Sequence, residues 1–387
     1  MLRRIAVLAA LVFVVAVLPA QAAPTSASSA GLARYIVTLD SSTPFPGAVA
    51  NTQAARLGGS VGFVYRNALK GYSLTLPAGA ASLLSRLPGV QSVEPDGIAT
   101  ASTTQSGVPW GLDRIDQRAL PLSSTYSYAN TGAGVKAYII DTGIRATHTQ
   151  LAGRVVQGTD KVDNALPADD CNGHGTHVSG TVGGNTYGVA KGITLVAVRV
   201  LNCQGSGTWS QVIAGIDWVT GNHQPGEPAV ANMSLGGSSN SSVDAAVRNS
   251  IADGVTYAIA AGNGNWIGMA MNACNSSPAR VTEAITVGAT NSSDTKASWS
   301  NYGSCLDLFA PGVSILSSWS SNDSATNTIS GTSMATPHVA GVAALYLQSH
   351  ASASPATIAA ALSANATSGV VKSAGSNSPN RLLYSNY

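Results

Sequence analysis

Three short segments of this chain carry residues able to move a proton and attack a carbonyl. Gly331-Thr332-Ser333-Met334-Ala335-Thr336-Pro337 sets one serine between a Gly-Thr turn and the small, apolar run His338 to Leu345. A helix N-terminus offers unpaired N–H groups to an anion, so a hydroxyl held there is well placed for acyl chemistry once a base takes its proton. Asn172-Gly173-His174-Gly175-Thr176-His177-Val178-Ser179-Gly180 puts a histidine between glycines at the entry to a second helix. Val135 to Ile140 is a mostly apolar run that stops at Asp141-Thr142-Gly143. It reads as a buried parallel strand with a carboxylate at its C-terminal end, where open α/β sheets hold their ligands. Each piece alone has a plainer reading: a capping Asp, a packed His, a Gly-Thr-Ser turn. Together they supply acid, base and nucleophile in the chain order Asp, His, Ser.

That order, each residue inside its own local signature, resembles the subtilisin-like serine proteases, and more narrowly the proteinase K branch with its aqualysin-type secreted members. The likeness runs from about Pro109 to the end of the chain, with Pro109-Trp110-Gly111-Leu112-Asp113-Arg114-Ile115 and Ser378-Pro379-Asn380-Arg381-Leu382-Leu383-Tyr384 near its two ends. It implies acyl transfer with Ser333 as nucleophile, His174 as general base and Asp141 as the residue that orients the imidazole. His177 competes for the base role. The resemblance assigns that role to His174, flanked by Gly173 and Gly175, and leaves His177 to pack within its helix. The strand Val255 to Ala261 ends in Gly262-Asn263, and Asn263 matches the family's oxyanion-hole amide.

The resemblance also implies a peptide-binding cleft, because an extended substrate adds to exposed strand edges. Those edges map to Gly205, Ser206 and Gly207 on one side and Ser234, Leu235 and Gly236 on the other. The primary pocket maps to Ser234–Gly236 and to Ala260, Ala261 and Gly262. Neither segment carries a charge, so cleavage after apolar or aromatic residues is expected. Structural Ca²⁺ is expected at Asp113, Asp116 and Gln117, with Ser123 and Thr125 as further ligands, and at Asp307 with the carbonyls of Thr282 and Ala284; oxygen donors of this kind suit that ion. A third family site is not expected, since Ala165 stands where the acidic partner of Asp160 belongs. Four cysteines allow three pairings. The family implies Cys171–Cys203 and Cys274–Cys305, each worth roughly 3–4 kcal/mol on the chain-entropy account.

Around this machinery the rest of the chain sets limits. Arg3 and Arg4, an apolar stretch from Ile5 to Leu18 and small residues through Ala23 read as an export signal over residues 1–23. The apolar core is short for a membrane span of about 20 residues. Residues 24–102 show strand, helix, two strands, helix and strand, a ferredoxin-like order that resembles the inhibitor propeptide of these proteases. A cut near Ser102–Thr103 would release a peptidase domain over residues 103–387. Charged residues make up 10% of the chain, against about 25% in a typical domain. From Thr103 onward there are 13 Lys and Arg against 15 Asp and Glu, with no basic stripe, so nucleic acid is not an expected partner. The expected partners are protein and peptide substrates and the chain's own propeptide, acting as an intramolecular inhibitor.

Apolar runs at Val135–Ile140, Leu195–Val200, Val230–Met233, Val255–Ala260 and Ala284–Val287 alternate with helical stretches at His177–Gly183, Ser210–Val219, Ser242–Asp253 and after Ser333. The pattern predicts a doubly wound, mostly parallel α/β domain. The chain is thus expected to be a secreted, extracellular, monomeric serine endopeptidase. A zinc site built from Cys171, His174 and His177 lacks the His-Glu-x-x-His spacing of zinc proteases. An esterase of the same triad would need Gly-x-Ser-x-Gly and a different chain order. A catalytically dead protease fold used for binding is the remaining alternative.

Overall fold

The computed structural model describes residues 31–96, 103–265 and 267–387. The export segment, Ser102 and the start of the expected junction lie outside them. The described residues belong to two compact units, 31–96 and 103–387.

The first unit contains β1 (Leu32–Leu39), α1 (Pro46–Leu57), β2 (Ser60–Tyr65), β3 (Gly71–Pro77), α2 (Ala81–Leu84) and β4 (Val90–Pro95). Its strands form one antiparallel sheet in the order β2-β3-β1-β4. Val37, Leu39, Tyr72, Leu74 and Leu76 project into a core with Ala50 and Ala54 of α1 and Leu84 of α2. The second helix is only one turn long, and Pro88 with a left-handed Gly89 (φ 80°) redirects the chain into β4.

The second unit opens with β5 (Thr103–Ser106), α3 (Trp110–Ile115), β6 (Thr125–Tyr128), β7 (Lys136–Asp141), β8 (Val155–Asp160), α4 (His174–Gly183), β9 (Thr194–Arg199) and α5 (Trp209–Asn222). It continues with β10 (Ala229–Met233), β11 (Gly237–Ser238), α6 (Ser241–Asp253), β12 (Thr256–Ala260), β13 (Ser276–Ser277), β14 (Ile285–Thr290), β15 (Leu308–Pro311), β16 (Ile315–Ser318) and β17 (Thr326–Ile329). It closes with α7 (Thr332–Ser349), α8 (Pro355–Asn365), β18 (Thr367–Ser368) and β19 (Arg381–Leu382). Nine strands form the main sheet, ordered β18-β19-β15-β14-β12-β10-β7-β9-β8 and parallel except where β18 meets β19.

Side chains alternate across a strand, so β7 feeds both layers. Ala137 and Ile139 join the core around α4 and α7, while Tyr138 and Ile140 join the one around α5 and α6. Helix α7 is buried from Met334 to Leu345, Leu347 included, and therefore has no polar face to give its sequence an amphipathic period. The sheet order reverses direction at β7, whose neighbours are β9 on one side and β10 on the other. Ligands bind beyond the C-terminal ends of strands at such a point, and β7 ends there in Asp141.

Candidate active site

Asp141 is fully buried at the end of β7. Its Oδ1 accepts hydrogen bonds from the Thr142 N–H at 2.8 Å and from His174 Nδ1 at 2.7 Å. Burial alone would lower the His174 pKa. The Asp141 charge and hydrogen bond, with Asp170 behind them, outweigh it and hold the imidazole above the ordinary value of 6.5.

His174 opens α4, three residues earlier than the sequence pattern suggested, because the helix start is capped from outside. Asp170 Oδ1 accepts the Asn172 and Gly173 N–H groups and the Thr142 hydroxyl, at 2.8–2.9 Å. Its Oδ2 accepts the N–H and hydroxyl of Thr176, at 2.8 and 2.6 Å. One buried carboxylate thus ties the first turn of α4 to the end of β7. Gly173 takes φ 112°, and a Cβ there would stand 2.4 Å from the ring of Trp319. The glycine permits the turn and the close packing. His177 is buried, with Nε2 at 3.0 Å from the Ile315 carbonyl. Burial pushes its pKa down to about 4, so it stays neutral.

Ser333 stands in the first turn of α7. Pro337, four residues on, has no N–H to give its carbonyl. The buried Ser234 hydroxyl donates to that oxygen instead, at 2.8 Å. Ser333 Oγ donates in return to the Ser234 carbonyl at 3.1 Å, and among the described residues no hydrogen bond joins it to His174. Such catalytic contacts commonly tighten only when substrate is bound. Beyond the end of β12, Asn263 Oδ1 accepts from both the N–H and the hydroxyl of Thr332, at 2.8 and 2.9 Å. That leaves the Asn263 NH₂ free to donate elsewhere. The roles of Asp170 and Thr332 went unrecognised in the sequence; an Asp four residues before the first residue of a helix is the one available signal.

A single cleft of about 1080 Å³ is lined by His174, Asn263 and Ser333 together with Gly205–Gly207, Ser234–Gly236 and Ala260–Gly262. It brings together every cleft residue expected from the sequence. It adds Thr142, Leu201, Trp209, Val212 and Met271, and none of its lining residues is Asp, Glu, Lys or Arg. Cys171 is bonded to Cys203 and Cys274 to Cys305. The first bridge joins the loop before His174 to the one carrying Gly205, and Asn172 Nδ2 donates to the Cys203 carbonyl at 2.9 Å.

Among the expected cation ligands, Asp113 accepts three hydrogen bonds from Ser123 and Ser124, and Ser123 Oγ lies 2.7 Å from Thr125 Oγ1. Gln117 Oε1 accepts the Ser123 N–H at 3.2 Å. Among the described residues Asp116 Oδ1 is buried with no partner, and burial, with the nearby Asp113 charge, pushes that carboxyl up to about 6. Two close carboxylates, one with an orphaned oxygen, among amide and hydroxyl oxygens form a donor set that fits a hard cation. Asp307, pushed up to about 6 by burial, accepts the Thr286 N–H at 2.8 Å on the strand that follows Thr282 and Ala284. No cluster of three or more His, Cys, Asp or Glu suited to a metal occurs among the described residues. Asp160 is paired with Arg199 at 2.7 Å.

Residues 132–382 match the sequence profile of the Subtilase family, peptidase S8. The chain is 57% identical to an extracellular serine proteinase of Thermus sp. (strain Rt41A), over 84% of this chain and 78% of that one. It is 41% identical to proteinase R of Parengyodontium album, over 92% of this chain and 89% of that one. A crystal structure of a cold adapted subtilisin-like serine proteinase, 53% identical, superposes with a TM-score of 0.69 and covers 73% of this chain and all of its own. The chain belongs to the subtilase family. Within it, the chain falls in the proteinase K branch and is a serine endopeptidase.

Proposed function

We propose that this protein is a secreted endopeptidase that cleaves peptide bonds through a covalent acyl-enzyme on Ser333. His174 Nε2 takes the Ser333 proton as Oγ attacks the scissile carbonyl, then delivers it to the leaving amine. Asp141 holds Nδ1 protonated and stabilises the imidazolium. The Asn263 amide and the Ser333 N–H receive the negative charge that develops on the carbonyl oxygen. The observation that carries this reading is the 2.7 Å contact between buried Asp141 and His174, on a cleft that also presents Ser333 and Asn263.

Substrate backbone adds between Gly205–Gly207 and Ser234–Gly236. The cleft has no fixed charge to select Lys or Arg, which supports broad cleavage after apolar and aromatic residues. The export-like first 23 residues, together with the word extracellular in the name of the Thermus relative, support secretion. Residues 24–102 act as an intramolecular inhibitor that the enzyme removes near Ser102–Thr103. Asp113, Asp116 and Gln117, and separately Asp307, hold Ca²⁺, which would neutralise their charge and stiffen the fold without entering the reaction. The working enzyme is a monomer.

One substitution tests the centre of this reading. Ser333→Ala should abolish casein hydrolysis, a loss of about 10⁶ in turnover, and leave the secreted chain at its unprocessed N-terminus by sequencing. Retained hydrolysis in that variant would sink it. A wild-type chain that matures yet hydrolyses nothing would favour a dead fold used for binding.

A further inference from the structure

Asn263 sits on a stretch of backbone with unusual needs. Gly262 before it has φ 98° and Gly264 after it has φ 81°. Both are left-handed, so the chain leaves β12 in a conformation that no regular strand neighbour can pair. The peptide groups on either side must still find partners, since a buried orphan is costly.

The Gly262 N–H donates to the Thr332 hydroxyl at 3.1 Å; the groups on either side of it converge on one residue. Asn301 is 2% exposed. Its Nδ2 donates to the Ala261 carbonyl at 2.8 Å, and its Oδ1 accepts the N–H groups of Gly264 at 3.0 Å and Met271 at 2.8 Å. Its own N–H donates to the Gly262 carbonyl at 2.9 Å. A Cβ on Gly262 would lie 2.5 Å from Asn301 Nδ2, so the amide is packed directly against the residue before Asn263. The next residue, Tyr302, exchanges backbone hydrogen bonds with Met271 and Ala273 at 3.0 and 2.8 Å. One amide therefore grips the chain on both sides of Asn263 and closes the neck of the loop from Gly264 to Met271. The amide donates to Ala261 and accepts from Gly264 and Met271 at once; a carboxylate lacks the donor, and alanine lacks both.

We propose that Asn301 is a positioning residue for catalysis: it fixes the Asn263 amide where the oxyanion forms, although it touches no reacting atom itself. The proposal rests on the reading of Asn263 as an oxyanion donor. Donors in such a site act only at the right place, and an error near 1 Å can cost on the order of 10²-fold.

The test is a double-mutant cycle on full-length protein, matured where needed by added wild-type enzyme and assayed by kcat and KM on a chromogenic peptide. Asn301→Ala should lower kcat by about 10–100-fold and leave KM within about threefold. In an Asn263→Gly background the same change should cost less than about twofold, because the group it positions is gone. Asn301→Asp keeps both acceptor contacts but sets a carboxylate oxygen against the Ala261 carbonyl, so its kcat should fall at least as far as that of Asn301→Ala. Asn301→Ala should weaken a peptide aldehyde, which forms the oxyanion adduct, more than the matching product acid. Equal losses in both backgrounds, or aldehyde and acid weakened alike, would overturn the proposal while leaving Asn263 as donor. Recovery of neither Asn301 variant in folded form would assign the residue to the fold and overturn it as well. An Asn263→Gly enzyme with wild-type kcat would instead remove the reading on which the proposal rests.

Discussion

The two sides of the cleft handle charge in opposite ways. Where β7 meets α4, two buried carboxylates, Asp141 and Asp170, surround an imidazole and make its positive form easier to reach. Where β12 meets α7, the groups are neutral: a primary amide and the N–H groups of a first helical turn, held by Thr332 and Ser234. The first side works by proton affinity and should respond to pH. The second works by position and should not. Each can be broken separately.

Among changes that leave the Ser333 hydroxyl in place, the largest effect is expected on the first side. Asp141→Asn keeps the size of the side chain but removes the charge and offers the imidazole an amide. Loss of the right tautomer should cut kcat by about 10⁴. It should also move the acid limb of kcat/KM. On the proposed mechanism His174 must be neutral to act as base, and its pKa is raised, so activity should fall through a midpoint above pH 6.5 as pH drops. Without the Asp141 charge and hydrogen bond, burial dominates, the pKa drops, and the limb should shift to lower pH. A titration of residual activity that keeps the wild-type midpoint would break the comparison.

On the other side Asn263→Gly should lower kcat by about 10²–10³. KM should stay within a few fold and the acid limb should not move, because no titrating group has changed. A pH profile displaced along with kcat would show that the two sides are electrically coupled.

How much of this could be read from the chain follows the same division. Asp141, His174, Ser333 and Asn263 each sit in a signature of adjacent residues: a buried strand ending in Asp-Thr-Gly, a His between glycines, a Ser before a helix, an Asn after Ala-Gly. Local backbone geometry made them legible. Their supports were not: Asp170 caps α4 locally through Asn172, Gly173 and Thr176, but the bonds that tie one element to another join residues far apart in sequence. Asp170 reaches Thr142 across 28 positions and Thr332 reaches Asn263 across 69. A single polar residue gives no pattern to detect. The early start of α4 is hidden for a different reason: its N-cap residue, Gly173, has no capping side chain, and the carboxylate that takes the first N–H groups sits upstream at Asp170. β8 lies at the sheet edge with half its residues polar, and β15 is four residues ending in Pro. Neither carries a period long enough to stand out.

Asp170→Asn should give the smallest change and is the finest probe of the charged side. The amide oxygen can still accept from Thr142, Asn172 and Gly173, so the turn before His174 should persist. Its NH₂ would then face the Thr176 N–H, which loses its acceptor in a buried place. Stability should fall by about 1–3 kcal/mol, read from denaturant midpoints on protein blocked at Ser333. The acid limb should move to lower pH, as for Asp141→Asn, but by less, because Asp141 contacts the ring directly and Asp170 acts only through its charge. An acid limb moving upward would mean that Asp170 does not favour the imidazolium. An unmoved limb in a destabilised enzyme would mean that its place at the helix entry is purely structural, and that Asp141 alone sets the proton affinity of this half of the cleft.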